Sequence, residues 1–95
     1  MIGKSAYKVP NGKLLKVLLD FDGGKINSIK LTGDFFLYPE EAIGKIEAAL
    51  AGKKFERDGL VGALEMVISG EKIELFGVSA DAIVEGVLLA RGGGA

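Results

Sequence analysis

The chain contains no cysteine and no histidine. The missing thiols exclude disulfides and thiolate metal sites. Without either residue, a Cys–His nucleophile–base pair cannot be built. Proline is scarce, at 2 residues, while glycine is plentiful, at 15. The glycines follow no strict period, so they indicate turns rather than a collagen or linker pattern. No apolar run approaches the roughly 20 residues that span a bilayer, and none precedes Gly3 to make a signal peptide. A cytoplasmic protein is expected. Arginine occurs only at Arg57 and Arg91, which weakens the case for nucleic-acid binding.

What is present is globular: 95 residues, 48% hydrophobic and 26% charged. That size suits one domain over 1–95, with the closing "GGGA" at 92–95 frayed. Net charge is −1 but unevenly spread: residues 1–30 hold six lysines against two aspartates, and residues 31–95 hold six basic and eleven acidic groups. A basic hairpin on an acidic body can orient an acidic partner or a phosphate-bearing ligand. The plainer alternative is that strand lysines face water.

Hydrophobic periodicity sets the elements. "SAYKV" at 5–9 predicts a short strand, and "PNG" at 10–12 a tight turn suited to positive φ. In "KLLKVLLDF", 13–21, Leu15, Val17, Leu19 and Phe21 share one face by period two. After the turn "DGG", "KINSIKLT" at 25–32 predicts a third strand, with Asn27, Ile29 and Leu31 on one face and Ile26 on the other. Three helices should cover this antiparallel meander. The first begins at Pro39 with two acids and carries the stripe Ile43, Ile46 and Leu50; Gly44 weakens it but can permit close packing. The second spans 58–69, capped by Asp58, with Leu60, Leu64, Val67 and Ile68 on its apolar side. "EKIELF" at 71–76 alternates enough for a short extended piece, but a loop or one irregular turn is expected. Ser79 then caps a third helix over 80–90, with Ile83, Val84, Val87 and Leu88 as its stripe. Three strands followed by three helices predict a two-layer α+β fold.

Candidate chemistry is thin. Glu40 and Glu41 fit the positive end of a helix dipole. Glu71 and Glu74 lack support as a paired-carboxylate site, Ser69 and Ser79 have no evident base, and Asp20 and Asp22 flank a turn shorter than a calcium loop. Gly23–Gly24–Lys25 and Gly12–Lys13 fail the P-loop spacing, though either lysine can meet a phosphate held elsewhere. Lys4, Lys8, Lys13, Lys16, Lys25 and Lys30 crowd the sheet, with Tyr7 and Phe21 as possible stacking rings, but no RNA-binding motif accompanies them. The segment "LTGDFFLYPEEA", 31–42, differs in kind. Gly33 suits a bend at the end of the third strand, and Asp34 can cap that turn with its side chain. Phe35 and Phe36 cannot point the same way along extended chain, so one ring can enter the core while the other meets a partner. Complete burial of both remains the structural alternative.

The series Gly12-Lys13-Leu14, Asp22-Gly23 with Ile26, and Gly33-Asp34-Phe35-Phe36, then a helix and the later "LFGVSADAIVEGVLLA", resembles the C-terminal accessory domain of lipoate–protein ligases. The similarity runs over nearly the whole chain and is greatest to the archaeal form, where that domain is a separate small protein. The resemblance implies an α+β accessory subunit without independent activity, of a fold type also found in iron–sulfur scaffold proteins, whose cysteines this chain lacks. Its partner would be a catalytic subunit that forms lipoyl-adenylate from lipoate and ATP, with magnesium. The lipoyl group then passes to a lysine on the acceptor domain of a 2-oxoacid dehydrogenase or glycine-cleavage protein. On this resemblance no residue here is catalytic and none holds metal. Gly33, Asp34, Phe35 and Phe36 form the family motif and a subunit interface, and Lys13 and Lys25 contribute charge near the shared site. A stand-alone interaction or scaffold module is the alternative.

Overall fold

The computed structural model describes residues 1–10 and 12–92. Asn11 of the predicted 10–12 turn, and Gly93–Ala95 of the segment expected to fray, lie outside the described residues. Strands β1 (Ile2–Lys8), β2 (Leu14–Asp22) and β3 (Lys25–Gly33) form an antiparallel sheet in that order. Leu15, Val17, Leu19 and Phe21 are buried on one face of β2, as the alternation requires. The β2–β3 turn is tight, with Gly23 at φ 57°.

The third strand departs from simple alternation. Ile26 is completely buried beside Ile29 and Leu31, not on the opposite face. The cause is a register shift: Asp20 opposes Ser28, but Phe21 opposes Ile26. Asn27 is therefore an extra residue, and the bulge returns Ile26 to the core side. The amide of Asn27 donates to Asp22 Oδ2 at 2.7 Å, on the exposed side of the bend.

The helical layer covers the buried face. A 3₁₀ turn over Glu40–Ala42 leads into α1 (Ile43–Leu50), so the regular helix starts later than Pro39. Ile46 and Leu50 are buried and Ile43 half-buried. Gly44 is exposed, and a Cβ there would meet nothing within 4 Å, so it serves no close packing. Helix α2 (Arg57–Gly70) buries Leu60 and Leu64; its N-cap is Glu56, and Asp58 lies inside the first turn instead of capping it. Helix α3 (Ala80–Arg91) is capped as expected, the Ser79 hydroxyl accepting from the Ala82 N–H at 3.1 Å. It lies directly on β1 and β2. A Cβ at Gly3 would overlap the Ala90 carbonyl oxygen, one at Gly86 would come within 3.0 Å of Leu15 Cδ2, and the buried Ser5 hydroxyl donates to the Gly86 carbonyl at 2.7 Å.

The outer edge of β3 is covered by the chain itself. The Leu31 N–H donates to Glu47 Oε2 at 2.9 Å, the Ile26 N–H to the Lys53 carbonyl at 2.9 Å, and the Gly52 N–H to the Ile26 carbonyl at 2.7 Å. Such an edge is closed to further strands. A further expectation is overturned. "EKIELF" is not merely a loop: Glu74–Phe76 form β5, which pairs antiparallel with β4 (Phe36–Tyr38). The fold is α+β as predicted, but a two-stranded ribbon interrupts its helical half. No helix among the described residues is long and apolar enough to cross a membrane.

Candidate functional site

The ribbon grows out of the motif at the end of β3. Gly33 has φ 144°, a conformation that favours glycine, and a Cβ there would overlap the Leu14 carbonyl oxygen. The same carbonyl accepts from the Asp34 N–H at 3.0 Å. The joint is thus fastened by the Asp34 backbone. The expected cap by its carboxylate is absent among the described hydrogen bonds, and Asp34 is exposed.

From Asp34 onward the pleat sorts the side chains. Phe35 is half-buried and packs against the core, whereas Phe36 is 68% exposed. Leu37 and Leu75 face inward and Phe36, Tyr38, Glu74 and Phe76 outward. Phe36 stands directly opposite Phe76, and Tyr38 opposite Glu74. With Tyr38 at 68% and Phe76 at 51% exposure, three rings share one solvent-facing side of a two-stranded ribbon. An apolar cluster of this kind marks an interaction surface more often than isolated exposed residues do. Sequence patterning singled out Phe35 and Phe36 as a pair, of which one faces outward, and missed Tyr38 and Phe76. The available signal was the alternation in "ELF", which only gains meaning once β4 lies beside it.

Two contacts hold the ribbon against the sheet. The Lys13 N–H donates to the Gly77 carbonyl at 3.0 Å. Gly77 has φ 84°, and a Cβ on it would come 2.6 Å from Lys13 Cγ, so the lysine stem lies against the loop after β5. Lys13 is exposed beside the ribbon. Lys25 is not. It opens β3 at the far end of β2, about 27 Å away for a nine-residue strand, where it bridges to Lys54. Gly33, Asp34, Phe35, Phe36 and Lys13 are therefore brought together, and Lys25 belongs to another corner.

Of the remaining candidates, Ser79 and Glu71 have structural employment. Ser79 caps α3. Glu71 pairs with Lys45, and Glu85 with Arg57 at 2.6 Å. The Arg91 guanidinium lies 4.7 Å from the centre of the Phe55 ring, which packs edge-on against Phe21. Tyr7 and Phe21 pack on the core side of the sheet, so neither ring is offered for base stacking on the lysine-bearing face. Among the described residues, no group of three or more acidic side chains gathers as a metal site.

Residues 5–86 match the family described as bacterial lipoate protein ligase C-terminus. The chain is 39% identical over 57 residues to lipoate-protein ligase A subunit 2 of Thermoplasma acidophilum, an alignment spanning 60% of this chain and 60% of that protein. Its fold superposes, with a TM-score of 0.78 and 25% identity, on a chain from the structure of an archaeal lipoylation system of the same organism, comprising a bi-partite lipoate protein ligase and its lipoyl domain; the match covers 92% of this chain and 94% of that one. The motif that shapes the Gly33 joint, helices α1 and α2 and the first half of α3 fall within the matched residues, and the chain belongs to the lipoate protein ligase C-terminal family, related to the archaeal bi-partite form.

Proposed function

We propose that this chain is the non-catalytic accessory subunit of a two-protein, cytoplasmic lipoate–protein ligase. It supports ATP-dependent formation of lipoyl-adenylate by a catalytic subunit, before the lipoyl group passes to an acceptor lysine. The observation that carries this reading is the family match over residues 5–86, joined to an exposed aromatic ribbon built from the motif Gly33-Asp34-Phe35-Phe36. The whole of 1–95 would act as one accessory domain. On this reading lipoate, ATP and magnesium would be held by the catalytic subunit.

An accessory subunit accelerates a reaction without touching the reacting atoms if it stabilises the competent state of its partner more than the open one. Closing a cleft, excluding water and fixing a mobile loop are physical routes to that end. Phe36, Tyr38 and Phe76 would supply the apolar contact. Phe35, Leu37 and Leu75 keep those rings outward by anchoring the ribbon's other side. Lys13 adds a positive charge at the rim. The test is the rate of lipoyl-adenylate formation by the purified catalytic subunit, measured with and without this chain. Stimulation together with a stable complex is the expected result. No stimulation and no complex would leave a stand-alone interaction module as the better reading.

A further inference from the structure

The ribbon that carries the exposed rings is fastened to the sheet at its base, and both of its ends meet one dipeptide. Asp34, just before β4, donates its N–H to the Leu14 carbonyl at 3.0 Å. Gly77, just after β5, accepts from the Lys13 N–H at 3.0 Å. Among the described hydrogen bonds, these two join the ribbon to the sheet. The ribbon's inner side is held by Leu37 and Leu75, whose apolar packing is non-directional and fixes an angle less sharply. Glycine draws the turn before Lys13 up to this base. The Gly12 N–H donates to the Val9 carbonyl at 2.8 Å, and the Val9 N–H to the Lys13 carbonyl at 3.1 Å, so the turn closes on the buried Val9. A Cβ at Gly12 would lie 2.6 Å from the Gly77 carbonyl oxygen, the atom that the Lys13 N–H reaches, and 2.9 Å from Val9 Cγ1. A Cβ at Gly77 would lie 2.6 Å from Lys13 Cγ and 3.8 Å from Phe35 Cα.

We infer that Gly12 and Gly77 are positioning residues for partner binding: their close approach sets the angle at which Phe36, Tyr38 and Phe76 are presented to the catalytic subunit. This role rests on the accessory-subunit reading above. Neither glycine has a side chain to offer a partner, so each acts through the base of the ribbon. An ordinary C···O contact is about 3.3 Å or longer, so an alanine at position 12 must displace the Gly77 carbonyl by roughly 0.7 Å. The two anchor points lie about one strand spacing apart, roughly 5 Å, and that displacement tilts the ribbon by about 8°. Over the roughly 10 Å from the base to Tyr38, the tilt carries the outermost ring about 1.5 Å from its place. Interface cores pack as densely as protein interiors, and a gap of about 1 Å already forfeits much of a contact. A ribbon fixed before the encounter also spares the complex the cost of ordering it.

The test is calorimetric titration of the catalytic subunit with the full chain, under conditions where denaturation curves show each variant folded. Gly12→Ala and Gly77→Ala should each raise Kd about tenfold or more. Gly24→Ala is the control, a glycine in the β2–β3 turn where a Cβ meets nothing within 4 Å, and it should bind as wild type does. A double-mutant cycle separates positioning from plain support of the fold. Phe36→Ala should weaken wild type strongly but the Gly12→Ala chain by only about threefold, because the ring is already misplaced there. Gly77→Ala supplies the same cycle if Gly12→Ala does not fold. Hydrogen exchange reads the wild-type chain alone: the Lys13 and Asp34 amides should exchange at least about tenfold more slowly than in an unstructured peptide. Wild-type affinity in both glycine variants overturns the inference. So does a Phe36→Ala effect of full size in the glycine-variant background, which would leave the glycine a support of the fold only. Exchange of both amides at the unstructured rate overturns it too, since the base would not be fixed. If wild type itself does not bind the catalytic subunit, the accessory reading fails, a result distinct from these.

Discussion

Replacing Phe36 with alanine should separate binding from folding. Phe36 is 68% exposed, and a phenylalanine offers on the order of 200 Å², so about 140 Å² is free to be covered by a partner. At about 25 cal/mol per Å², complete burial would contribute about 3.5 kcal/mol. Ordering costs and imperfect fit lower the net effect to about 2–3 kcal/mol, or about a 30- to 150-fold rise in Kd. The same substitution removes only a cross-strand neighbour of Phe76 within the fold, worth about 1 kcal/mol at most. Phe35→Ala acts in the opposite sense. Its ring packs on the core, so the loss appears mainly as stability, about 1.5–3 kcal/mol for a half-buried ring. Calorimetric titration against the catalytic subunit, alongside denaturation of each reconstituted complex, reads both quantities. Wild-type affinity for Phe36→Ala would refute the assignment of this ring to the interface. A larger binding defect in Phe35→Ala with unchanged stability would refute the inward–outward division.

Substitutions at three further positions test the local arguments. Gly33→Ala should cost at least about 2 kcal/mol, because it combines a φ of 144° with overlap on the Leu14 carbonyl; a denaturant midpoint equal to wild type would contradict the strained joint. Gly62→Ala, in mid-α2 where a Cβ meets nothing within 4 Å, should instead stabilise by about 0.5–1 kcal/mol and raise the melting temperature. Ser79→Ala should cost about 1 kcal/mol by removing the acceptor for the Ala82 N–H, whereas Ser79→Asp should retain most of the wild-type stability in the same melts.

How much of this was legible in the sequence depends on the range of the interactions involved. The face of β2 could be read from Leu15, Val17, Leu19 and Phe21, because strict alternation is a local property. The third helix was legible for the same reason, from the Ser79 cap and a regular apolar stripe. Plain alternation puts Ile26 on the wrong face, since one bulged residue at Asn27 shifts the parity and no residue type announces it. The strand Glu74–Phe76 is hard to tell from a loop because three residues carry too little pattern; its partner Phe36–Tyr38 lies far away in sequence. That non-local pairing also hid two of the three exposed rings. Glycine at a strand end signals the Gly33 bend, but the sequence does not show that the Asp34 backbone N–H, not its carboxylate, fastens it. Lys13 and Lys25 look alike as turn lysines, and only the length of β2 separates them.

The central claim is that this chain acts through a partner's active site. The most direct measurement titrates the chain into a fixed amount of catalytic subunit and follows lipoyl-adenylate formation. The account predicts a rate that rises and saturates at one accessory chain per catalytic subunit, with the Phe36→Ala titration shifted to higher concentration and reaching a similar plateau. A flat titration, with the catalytic subunit equally active alone, would contradict it.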